Sequence, residues 1–139
     1  MPQSTVSIAF QTDQPLAAYG ALAQAAEDYG FDGVTVYNDM LYQPAWLPLL
    51  EIARHTRRVR IGPAAVNPFT CHPINIAGNI ALLDEASQGR AYLGLARGAW
   101  LDSLGAKKSF CIGLVAKSFS GCPRMDNSSA RNNVLRFHS

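Results

Sequence analysis

The sequence predicts an α/β fold, a parallel sheet covered by helices. Two observations predict it. Short β-prone runs alternate with longer stretches whose apolar residues recur at helical spacing. Strand centres near Ile8, Thr35, Ile61 and Leu93 are separated by steps of 27, 26 and 32 residues. Regular βαβα alternation with apolar strands implies parallel pairing and helical crossovers. The step fits a (β/α)8 barrel, which averages roughly 31 residues per unit. It fits a doubly wound sheet as well.

The elements follow in order. "VSIAF" (Val6–Phe10) is the first strand. "PLAAYGALAQAAEDYG" places Leu16, Tyr19, Leu22, Ala23 and Ala26 at helical spacing, with Asp13 a candidate N-cap and Gly30 the C-terminal stop. "GVTVYN" is the second strand. "AWLPLLEIARHT" is the second helix, whose Pro48 falls near enough to the start to be tolerated. His55 and its neighbouring arginines are cations suited to that helix's C-terminus. "VRIGPAAV" is the third strand, and "PINIAGNIALLDEAS" the third helix, with Pro73 at its first position. "AYLGLA" is the fourth strand.

At 139 residues the chain suits one domain with a real core, and 48% hydrophobic residues mark a globular protein. No apolar run approaches the roughly 20 residues of a membrane span. No basic and apolar leader opens the chain, so a cytoplasmic location is expected. Cys71, Cys111 and Cys122 fit neither a CxxC pair nor a zinc site, and no metal is expected. Basic residues form no aromatic-interleaved stripe, which argues against nucleic acid.

Phosphate-loop chemistry is poorly supported. After "VSIAF" the chain reads "QTDQP", with no glycine until Gly20, so the dinucleotide fingerprint is missing. Gly94-x-x-x-Gly98 is not followed by Gly-Lys-Ser/Thr; it reads as a strand and its turn. Ligands in parallel βα folds bind at the C-terminal strand ends. Those ends carry Gln11, Thr12 and Asp13; Asn38 and Asp39; Asn67; and Arg97, Gly98 and Trp100. They hold no nucleophile–base pair, and His72 before Pro73 reads as positional.

"GPAAVNPFTCHP" followed by "AGNIALLDEASQGRAYLGLARGAWLD" resembles the luciferase-like monooxygenase superfamily, especially its deazaflavin-dependent, methylenetetrahydromethanopterin reductase-like branch. The likeness runs from about Val6 to Leu104. It implies a partial TIM (β/α)8 barrel of about four N-terminal βα units. It also implies hydride transfer with coenzyme F-420 or FMN on a small-molecule substrate. By alignment, a bulge with a cis peptide bond at Ala64–Ala65 would back the isoalloxazine-type ring, and Asn67 would reach its edge. Asn38, Asp39, Arg97 and Gly98 complete the implied cofactor-binding set. Asn38 and Asp39 stand where many relatives carry Asp-His, and Ala99 where some place an acidic residue. The catalytic residues are therefore unassigned.

The chain changes character after Leu104. Residues 1–102 hold six Lys/Arg against nine Asp/Glu, whereas residues 103–139 hold six against one. Seven of the ten serines fall in the last 37 residues. The expectation is a half-barrel over residues 1–104 and an irregular, non-homologous tail over 105–139, from a truncation or frameshift. Within it "SFCIGLVAKSF" is a candidate strand. The open half-barrel would form a homo-oligomer, and a chain so shortened would be impaired as an enzyme. The alternative is a non-catalytic half-barrel serving as an oligomerising or interaction module.

Overall fold

A computed structural model of the chain describes residues 5–97, 101, 125–126 and 134–137. Strands β1 (Ser7–Phe10), β2 (Gly33–Tyr37), β3 (Arg60–Ala64) and β4 (Tyr92–Gly94) alternate with helices α1 (Ala18–Asp28), α2 (Trp46–His55) and α3 (Pro73–Ala86). The strands β5 (Met125–Asp126) and β6 (Val134–Phe137) follow.

Pairing order separates the two α/β architectures. β1, β2 and β3 lie side by side in chain order, all parallel. β4 continues the series through parallel bridges Ile61–Ala91 and Val66–Leu95. A doubly wound sheet reverses direction at a switch point. Here order never reverses, which is the wall of a barrel.

Alternation sorts the wall into two faces. Val34, Val36, Ile61 and Leu93 are buried among Tyr19, Ala23, Leu49, Ile52, Ile76 and Ile80 of the helices. The opposite face presents Ser7, Ala9, Thr35, Tyr37 and Tyr92, none of them buried. In register, Ala9 lies beside Thr35 and Thr35 beside Gly62. The Tyr92 hydroxyl bonds Thr35 Oγ1 across that row, with the Arg60 guanidinium 5.9 Å from the Tyr92 ring centroid.

Helix ends follow local chemistry. His72 caps α3 by accepting from the Ile74 N–H, and Pro73 supplies the preset first turn. His55 lies in the last turn of α2. Gly30 follows α1 with φ +87°, the left-handed stop expected of it. Asp13 is not the N-cap of α1. A turn intervenes, with Pro15 O accepting from Ala18 N, and Ala17 precedes the helix without a side-chain cap.

Charged side chains tie the N-terminal ends of the strands, Arg90 and Glu27 foremost among them. Arg90 Nε donates to Ser87 O at 2.7 Å. Its Nη1 donates to Thr56 Oγ1 and Val59 O, and its Nη2 to Ala53 O and Thr56 O, at 2.8–3.1 Å. One guanidinium thus satisfies the last carbonyls of α2 and the carbonyl that ends α3. The Glu27 carboxylate accepts the backbone N–H groups of Arg57, Arg58 and Val59 at 2.7–3.1 Å. Burial pushes its pKa up, but those three N–H bonds and the Arg58 charge outweigh burial and leave it lowered.

The tail, expected to be irregular, contributes a short antiparallel ribbon. β6 pairs with β4 and with β5, both antiparallel. The candidate strand at 109–119 and the boundary at Leu104 lie outside the described residues. Among the described residues no helix is long and apolar enough to cross a membrane.

Arg90→Ala is expected to cost about 3 kcal/mol, because several carbonyls lose a charged donor together. Urea unfolding of the variant checks it. Arg90→Lys should recover only part, since an ammonium cannot span five acceptors in a plane. For Glu27 the folded pKa lies below its ordinary 4.5. Its contribution is therefore fully present above 4.5 and lost as pH falls through the folded value. Glu27→Gln should flatten the acid side of a stability-versus-pH curve in that window.

Candidate functional site

The C-terminal ends of the strands gather polar and small residues from four loops. After β1 come Gln11 and Thr12. Tyr19, buried in α1, holds this turn by donating its hydroxyl to Gln11 O at 2.8 Å and accepting from Gln14 N. Gln43 N donates to Thr12 O at 3.4 Å, which folds the loop after β2 over the loop after β1. Thr12 is only 1% exposed.

Asn38 and Asp39 follow β2. Asn38 Oδ1 accepts the Ala45 N–H at 3.0 Å, so this side chain caps the start of α2 from across the loop. Asp39 is exposed and its Oδ2 accepts from Gln11 Nε2 at 3.4 Å. The register partners Tyr37 and Ala64 bring Asn38 alongside the end of β3.

The end of β3 carries a bulge. Ile61 to Val66 is five steps on β3, against four from Ala91 to Leu95 on β4. The peptide bond between Ala64 and Ala65 lies within it and is cis, at the position the resemblance implies. Both alanines are half-buried. The seam closes around two glycines. A Cβ on Gly94 would stand 2.6 Å from Pro63 O, and one on Gly62 would meet the Tyr92 ring at 2.8 Å. The regular part of β4 is shorter than the predicted "AYLGLA" strand, with Ala91 and Leu95 at its ends making isolated bridges.

Beyond the bulge, Asn67 is nearly buried and spends its side chain on its own turn, Oδ1 accepting from Phe69 N at 2.8 Å. Its carbonyl accepts from Thr70 and Cys71 N–H. Arg97 is exposed at the end of β4. Gly98 and Trp100 lie outside the described residues. Ala64, Ala65, Asn38, Asp39 and Asn67 therefore meet along one end of the wall, while Asn38 and Asn67 also shape the loops.

Two residues outside the implied cofactor set belong to this end. Gln11 Oε1 and Thr12 Oγ1 are buried and lack a hydrogen-bond partner among the described residues. Buried polar atoms are ordinarily paired, so two unspent ones at a strand end suit a ligand. With the alanine bulge and the exposed ring of Tyr37, they fit the flat, polar-edged ring of a flavin or deazaflavin. They do not fit its anionic tail. Arg97 is the only Lys or Arg at this end among the described residues; Arg54, Arg57, Arg58, Arg60 and Arg90 lie at the opposite end. Among the described residues no three His, Cys, Asp or Glu side chains group to hold a metal.

A family model described as luciferase-like monooxygenase matches residues 2–103. The 5,10-methylenetetrahydromethanopterin reductase of Methanopyrus kandleri is 34% identical over 110 residues, 76% of this chain and 31% of that protein. The solved coenzyme F-420 dependent tetrahydromethanopterin reductase from Methanopyrus kandleri matches with a TM-score of 0.69 at 30% identity. It covers 75% of this chain and 30% of that one. The oxygenating constituent of 3,6-diketocamphane monooxygenase from Pseudomonas putida, solved with FMN, has the same fold. Its TM-score is 0.67 at 17% identity, over 82% of this chain and 36% of that one. The chain spans about a third of the length of the curated relatives it matches.

Gly94→Ala should force the β3–β4 seam apart, because the obstructing atom is a backbone carbonyl. We expect a loss of about 1–3 kcal/mol, the usual cost of overpacking. Thermal unfolding measures that loss, and faster exchange of the Val66 and Ala96 amides localises it to this seam.

Proposed function

The chain belongs to the luciferase-like monooxygenase family, and from that premise we propose that it supplies the ring-binding half of an oxidoreductase site. The cofactor class is coenzyme F-420 or FMN, and the reaction class is hydride transfer to or from a small-molecule substrate in the cytoplasm. The observation that carries this reading is the end of β3. A bulge of two alanines stands beside Asn38, at the same end of the wall as two unspent buried polar atoms, Gln11 Oε1 and Thr12 Oγ1.

When bound, a flavin or deazaflavin supplies the hydride chemistry, and the protein's part is to bind, orient and shield it. Ala64 and Ala65 would back the ring without side chains to obstruct it. Gln11, Thr12 and Asp39 would meet polar ring-edge atoms. Asn38 and Asn67 would hold the loops that frame it, and Arg97 would stand toward the cofactor's anionic side. No residue is proposed as a general acid. The anionic tail finds little to bind among the described residues, so turnover is proposed to be impaired in this 139-residue chain taken alone.

A second reading rests on the inner face of the wall. Ser7, Ala9 and Tyr37 are exposed there, where a closed barrel would bury them. A second copy covering that face would make the protein a homo-oligomer, as an interaction module or as a completed cofactor site. Residues after 104 are proposed to be a terminus unrelated to the family, which translation of the neighbouring reading frames of the coding DNA would test.

Fluorescence titration separates these readings. The chain should quench coenzyme F-420 or FMN, and lumiflavin, which lacks a phosphate tail, should bind within about tenfold of FMN, a gap of 1.4 kcal/mol. Thr12→Val should weaken all three. Failure of every flavin and deazaflavin to bind overturns the cofactor reading, and a dimeric mass by light scattering in that case supports the interaction module.

A further inference from the structure

Barrel strands use both edges, and β4 is the last strand of this wall. Its backbone groups can be assigned by alternation. Arg90 O accepts from Ile61 N, Gly94 O from Val66 N, and Ala96 N donates to Val66 O. The even-numbered residues therefore face β3, and the N–H and C=O of Leu93 turn to the other edge. Leu135 of β6 is the register partner of Leu93, flanked by pairs Tyr92–Arg136 and Gly94–Val134. The edge from which a barrel would continue is thus occupied by a strand of this chain's own tail, running antiparallel.

We propose that Val134–Phe137 is a stop strand, which closes the β4 edge against any further parallel strand, including β1 of a second copy. Antiparallel pairing satisfies the edge without extending the parallel series. Among the described residues the sheet then ends on β5, two residues long and too short to template another strand. The opposite edge, on β1, has no strand beside it among the described residues. An open β4 edge and an open β1 edge on every copy would make a head-to-tail contact, and such contacts run on into rings or filaments. The stop strand removes one of the two. It acts whether the full chain is a monomer or a face-to-face dimer, and it does not depend on cofactor binding.

The test is amide exchange on the full chain, with Leu135→Pro and Leu135→Ala. Proline removes the N–H that meets Leu93; alanine keeps it. In the unaltered chain the Leu93 amide should exchange at least about a hundredfold more slowly than an unstructured amide. Leu135→Pro should raise its rate at least about tenfold while Leu135→Ala leaves it slow, a backbone effect. The proline variant's mass by light scattering should then climb with concentration, while that of the unaltered chain stays discrete. A Leu93 amide that exchanges freely in the unaltered chain overturns the proposal, even if the proline variant fails to fold. So does a proline variant that keeps its helical circular dichroism and shows neither faster Leu93 exchange nor growing mass.

Discussion

The guanidinium of Arg90 is the constraint on which the wall depends. Each βα unit must return its chain to the same end of the sheet, and every helix that does so leaves carbonyls unpaired at its C-terminus. Arg90 answers for two helices at once, reaching Ala53 and Thr56 at the end of α2 and Ser87 at the end of α3. Through Val59 O it also fixes where β3 begins. Burial lowers its pKa and the Glu27 charge raises it, a tension that an arginine tolerates because its ordinary value is so high.

Glu27 completes the arrangement from α1, gripping the N–H groups of Arg57, Arg58 and Val59 just ahead of β3. The charged work of holding the wall is therefore concentrated at one end. The other end is left with loops set by neutral side chains, Asn38, Asn67 and Tyr19 among them. This division is physically sensible. A site that must admit a ligand cannot also be sealed by the contacts that close the fold, and barrels in general separate the two ends in this way.

How much was legible in the sequence depended on the range of the interaction. α2, α3 and the four strands were readable because apolar periodicity is a local record of which face is buried. The start of α1 was misread because Asp13 has the chemistry of a cap while the turn through Pro15 delays the helix. Arg90 is visible in the sequence only as part of a motif; its acceptors in α2 and just ahead of β3 lie 31 to 37 residues away, beyond any local pattern. Gln11 and Thr12 are readable as polar residues at a ligand-binding strand end, but not as buried ones. The loop after β2 bonds to this one through Gln43 N and Thr12 O, a contact across 31 residues that nothing in "QTDQP" encodes. The small residues of "GPAAVNP" were informative for the opposite reason, since crowding between adjacent strands is written directly as missing side chains.

The bulge in β3 also acts as a change of phase. Before it, odd-numbered residues such as Ile61 face the helices; after it, even-numbered Val66 is the buried one. Ala64 and Ala65 straddle the change, so two successive residues can present to the same side where a regular strand would offer one. Asn67 owes its place at the mouth of the wall to that shift. The segment between Gly62 and Val66 thus works as a counted spacer. Its length carries information separate from its composition, since one residue more or fewer there would take Val66 out of register with Leu95.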